Sequence, residues 1–109
     1  MNKADFIERA KPATRPFTID GLEGFDFTIR ALTGAQLDRI EKAIGNEADP
    51  LRLNLRGTVT AWTLCDEKGE RLFDDGNAGD VGQLDGRVLQ AVFDAALEHS
   101  GLTGEDLGA

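Results

Sequence analysis

Between Asp85 and Gly101 the apolar residues Val88, Leu89, Val92, Phe93, Ala96 and Leu97 recur at i, i+3, i+4 and i+7. Asp94 and Glu98 fall on the opposite side. The spacing predicts an amphipathic helix, with Asp85 as its cap and Ser100-Gly101 as its stop. A stripe of this kind must be covered, so the rest of the chain has to supply a layer that packs against it.

The preceding residues offer two kinds of cover. Phe17, Ile19, Phe25, Phe27 and Ile29 alternate with polar neighbours, the two-residue period of a strand. Asp20-Gly21-Leu22-Glu23-Gly24 separates the two runs, so a β-hairpin is expected, 16–20 paired with 25–31. Thr33 reads as an N-cap for a helix carrying Leu37, Ile40 and Ile44, which Gly45-Asn46 can end. Asp49-Pro50 signals a second start, a capping carboxylate followed by proline in the first turn. Residues 58–64 carry two conflicting signals. Leu51, Leu55, Val59 and Trp62 line one helical face, whereas Thr58-Val59-Thr60 is β-branched and strand-like. The unbroken apolar stripe favours helix. If the segment is a strand, 66–69 turns it back onto 70–73. Residues 74–86 are glycine-rich and read as a loop, with one helical turn after Asn77.

The expected fold class is α+β, mainly α: an N-terminal β-hairpin followed by three to four helices. At 109 residues the chain has the size of one domain. Residues 1–15 are expected to form a short helix (3–11) and a proline-containing linker, 16–101 the α+β domain, and 102–109 a flexible C-terminal tail.

Charge is unevenly placed. Residues 1–56 hold nine basic and nine acidic side chains, whereas 57–109 hold three and eleven. The whole net charge of −8 thus sits in the second half. Binding a nucleic acid depends on clustered Lys and Arg releasing counterions, and Arg52 and Arg56 are the nearest approach to a cluster. Nucleic acid is therefore not an expected partner, nor is a membrane, since no run nears the ~18 apolar residues of a span. The first residues lack the apolar segment of a secretory signal.

Catalytic and metal chemistry finds little material. The chain has one histidine, His99, and one cysteine, Cys65. A Cys–His pair would need the fold to bring them together; the plainer reading is a buried small hydrophobe and a cation near a helix end. Structural zinc wants four such ligands. The stretch 75–80 has oxygen ligands beside glycines, but its spacing fails the EF-hand pattern at its fifth, sixth and twelfth positions. No catalytic residue, cofactor or metal is expected, and binding is the default role.

The order of motifs is informative. Thr28-Ile29-Arg30-Ala31-Leu32-Thr33 leads into a short helix. A longer helix ends in Leu64-Cys65-Asp66-Glu67-Lys68-Gly69-Glu70-Arg71-Leu72-Phe73. An acidic loop with Asp80-Val81 and Leu84 follows, then Leu89 and Phe93-Asp94-Ala95-Ala96-Leu97-Glu98. Over residues 26–103 this resembles the small tail assembly chaperones of long-tailed bacteriophages and related prophages. It departs from them at Gly76, Gly79 and Gly82, which loosen a usually compact acidic helix. The resemblance implies a non-enzymatic protein of the host bacterial cytoplasm, absent from the mature virion. Its implied partner is the tape measure protein, a long helical chain kept soluble until tube subunits polymerise around it. It further implies recruitment of the tail tube protein by a longer, frameshifted form; a homo-oligomer is compatible with it. The alternative is a structural virion component, such as a tail-terminator or head–tail connector subunit. Candidate partner-binding residues are Leu72, Phe73, Leu89, Phe93 and Leu97, with Asp74, Asp75 and Asp80 beside them. For the five apolar residues core packing competes, since truncating a buried Phe costs ~3–5 kcal/mol. For the three acids the competing reading is a solvated loop.

Overall fold

The structure is a computed structural model and describes residues 1–102. Helix α1 spans Lys3–Arg9 and strand β1 Thr14–Phe17. Strand β2 covers Phe27–Arg30 and helix α2 Gly34–Ile44. A 3-10 turn over Pro50–Asn54 runs directly into α3, Leu55–Thr63, which passes into β3, Leu64–Asp66. A second 3-10 turn, Asp75–Asn77, precedes the single-turn α4, Ala78–Val81, and the long α5, Gly86–His99. The strands form one antiparallel sheet in the order β1-β2-β3.

The local signals act where the sequence placed them. Thr33 and Gln36 form a reciprocal capping box: Gln36 N–H donates to Thr33 Oγ1 at 3.0 Å, and Thr33 N–H donates to Gln36 Oε1 at 2.9 Å. Asp49 accepts from Leu51 N–H, and Asp85 accepts from Arg87 N–H at the start of α5. Gly101, at φ +79°, closes α5 as Leu102 N–H reaches back to Leu97 O.

The hairpin is real but shifted. β1 begins two residues earlier than expected, and its pairing runs from Thr14↔Arg30 to Phe17↔Phe27. Pro16 is tolerated because β1 is an edge strand, whose outer side needs no donor. Ile19 leaves the strand to become core, 3% exposed. Two successive turns, Leu22 N–H to Ile19 O and Phe25 N–H to Leu22 O, then carry the chain around. The helix reading of 58–64 holds through Thr63, and the strand signal emerges one residue later as β3. The turn after Asp66 also forms, with a bridge from Cys65 to Arg71.

The core lies between the sheet and the helices. α3 packs on α5 and α4, and α5 covers β2. Ile29, Ile40, Val59, Val92 and Ala96 are fully buried within one apolar cluster. Gly57 permits the close crossing of α3 and α4: a Cβ there would stand 2.7 Å from the Gly82 Cα. α1 contributes no buried residue.

Candidate docking surface

The segment following β3 is held rigidly. Asp66 Oδ1 accepts from the N–H groups of Lys68 and Glu70, at 2.8 and 3.0 Å. The Arg71 guanidinium donates to Ala61 O at 2.7 Å, near the end of α3, and to Asp75 Oδ1 at 2.8 Å. Leu72 and Phe73, between these anchors, turn to different sides.

Leu72, 44% exposed, lines an open groove of about 410 Å³ with Phe25 and Phe27. Asp26, Asp66 and Glu67 stand along it, and among the described residues no basic side chain does. Phe73 is half-buried and forms the floor of a second groove, about 250 Å³, with Val81 and Leu84. Asp80 and Asn77 make its polar rim. Of the residues singled out in the sequence, the structure thus brings Phe73 and Asp80 together and sets Leu72 beside Phe25. A larger groove, about 580 Å³, opens between the β1–β2 loop and the start of α5, and none of the sequence-derived candidates lines it.

The other candidates lie elsewhere. Leu89 and Leu97 are each only 4% exposed, and Phe93 packs half-buried against the same core. The stripe of α5 faces inward, so these three side chains pack into the core. Asp74 N–H donates to Asn77 Oδ1, and Asp75 pairs with Arg71, so this pair shapes the turn into α4. The glycine-bearing stretch is compactly helical at 75–81.

Phe25 and Leu84 are exposed apolar members of these grooves that the sequence reading missed as site residues. The alternation of Phe25 with Phe27 points to a strand, but β2 begins only at Phe27 and Phe25 follows the turn at Gly24, whose φ is +91°.

Cys65 and His99 have separate partners. Cys65 is buried, and that burial pushes its thiol up from the usual range. Its sulfur lies 3.6 Å from Thr63 O. His99 Nε2 is 2.8 Å from Ala13 O. Among the described residues no group of three or more His, Cys, Asp or Glu is placed to hold a metal ion, and no helix is long and apolar enough to cross a membrane.

No protein-family model and no curated protein matches this sequence. A solved structure does: that of the bacteriophage HK97 tail assembly chaperone aligns over 90% of this chain and 97% of its own, with a TM-score of 0.66 at 16% identity. The fold is that of the HK97 tail assembly chaperone. The resemblance read from the motifs of residues 26–103 is therefore borne out at the level of fold. In this fold the Cys65–Phe73 motif begins buried at Cys65 and ends with Leu72 lining one groove and Phe73 the other.

Proposed function

We propose that this chain is a non-enzymatic tail assembly chaperone that binds the tape measure protein and keeps it soluble while a phage tail is built. The single observation that carries the reading is the likeness to the HK97 chaperone, which extends almost end to end over both chains. The surface chemistry suits the role. Shallow grooves with apolar floors and acidic rims accept the apolar anchors of an amphipathic helix and leave its polar face in water. A net charge of −8 keeps a complex with an apolar client apart from its copies by repulsion. The work takes place in the host bacterial cytoplasm, and the finished virion leaves the chaperone behind. A longer form of the chain would bring in the tail tube protein.

Coexpression tests this directly. The tape measure protein of the same phage, insoluble alone, should move to the soluble fraction at least fivefold when the chain is present. Equal pelleting with and without the chain ends the proposal. Stable, stoichiometric copies in purified virions would support a structural virion component instead.

A further inference from the structure

Helix α1 and the Phe25–Leu72 groove are each unsatisfied, and their chemistries match. In α1, Phe6 is 63% and Ile7 51% exposed. Lys3 and Ala10 flank this pair at helical spacing, so one side of the arm is apolar with a cation at its end. The groove presents Phe25 at 64% exposure and Leu72, beside Asp26, Asp66 and Glu67. The charges of the two parts are opposite. Residues 1–15 hold four basic and two acidic side chains, for a net of +2; residues 16–109 hold eight and eighteen, for a net of −10.

The arm does not serve its own groove. Ala13 O is held by Ala31 N–H at 2.9 Å and by the His99 ring at 2.8 Å. The chain therefore enters the sheet at the Thr14↔Arg30 end, whereas the groove lies beyond the other end, where Phe17↔Phe27 and Phe27↔Asp66 pair. In this arrangement α1 buries nothing while the groove stands open.

We propose that α1 of one copy docks in the Phe25–Leu72 groove of a second copy and so guards the surface that a client helix would take. Phe6 and Ile7 lie against Phe25 and Leu72, and Lys3 faces the carboxylates. The contact is head-to-tail, since donor and acceptor patches differ. Its guarding role rests on the chaperone reading above; its existence does not.

Full-length variants test it. Phe6→Asp removes the arm's anchor and Leu72→Asp the groove's, and both sites are exposed. In sedimentation, the wild type should gain mass with concentration, and each variant alone should stay monomeric. An equimolar mixture of the two should form a heterodimer and stop there, because only one intact arm and one intact groove remain per pair. Glu67→Lys should weaken association at least tenfold and replaces Leu72→Asp if that variant does not fold. A wild type that is monomeric at every concentration, or a Phe6→Asp chain that still assembles, overturns the docking. For the guard, Phe6→Asp should retain the tape measure protein at least fivefold better than the wild type at concentrations where the wild type associates. Equal retention overturns the guard and leaves the chaperone reading standing. No retention by either form overturns both of these and leaves the docking result intact.

Discussion

Helices α1 and α3 are of similar length, seven and nine residues, and they stand for opposite reasons. α1 is made by local chemistry. Asn2 caps it by accepting from Asp5 N–H, Lys11 pairs with Glu8 just beyond its end, and none of its residues is buried. α3 is made by its surroundings. Gly57, Thr58, Val59, Thr60 and Thr63 are poor helix formers, and Asn54 makes no side-chain cap to it. Yet six of its nine residues are buried. Two of the three threonines fit because their hydroxyls bond back along the helix, Thr58 to Asn54 O and Thr63 to Val59 O; the buried Thr60 hydroxyl has no partner among the described residues. The lesson concerns where apolar side chains are needed. In α3 they hold the domain. In α1 Phe6 and Ile7 hold nothing within one copy, and so short a helix is marginal in water on its own.

One chemical change applied to both helices breaks the comparison most sharply. Val59→Asp puts an unpaired carboxylate into a fully buried site. That should cost at least ~4 kcal/mol, a large part of a small domain's stability. We expect a chain with no cooperative thermal transition. Phe6→Asp should leave the melting temperature of the monomer unchanged, within about 0.5 kcal/mol for a surface site. A folded Val59→Asp chain would show that α3 is not the element the core depends on.

The glycine in α3 gives a smaller effect, and its sign is diagnostic. In an ordinary helix Gly→Ala gains ~1 kcal/mol. At Gly57 the added methyl would meet Gly82 backbone atoms at 2.7 and 2.8 Å, and backbone cannot step aside. Overpacking of this kind costs ~1–3 kcal/mol. Gly57→Ala should therefore lower the melting temperature by several degrees, and a rise would mean that the α3–α4 crossing is loose.

The same contrast explains what was legible in the sequence. Boundaries set by local chemistry were readable: Thr33, Asp49-Pro50, Asp85 and Gly101 mark helix ends in the structure as they do in the sequence. What depends on the tertiary environment was not. Ile19 is in phase with the strand pattern, but the core draws it out of the strand. Periodicity could not say whether Leu89, Phe93 and Leu97 face a core or a client, because both demand the same stripe. The grooves were hidden for another reason: Phe25 and Leu72 meet only because the β1–β2 loop and the turn after β3 end on the same side of the sheet.

Between these extremes lies the junction of α2 with the turn that starts α3, and its chemistry is tested by acid. Asp49, 6% exposed, accepts both Arg39 Nη atoms at 2.8 and 2.7 Å, and Leu51 N–H at 3.0 Å. The Arg39 guanidinium, more than the backbone bond, holds this carboxyl below its ordinary value of 3.8. A carboxylate lowered on folding stabilises the folded chain above its unfolded value, and that contribution is lost as pH falls through the lowered one. Asp49→Asn keeps the shape and can still accept from Leu51 but lacks the charge. The wild type should therefore melt above Asp49→Asn at pH 7, and the gap should close as the pH drops below 3.8. The other carboxylates titrate in both proteins, so the difference between the two melting curves isolates this pair. A gap that stays constant down to pH 2.5 would mean that Asp49 acts by shape and backbone capping, as the threonine of the α2 cap does, and not by its charge.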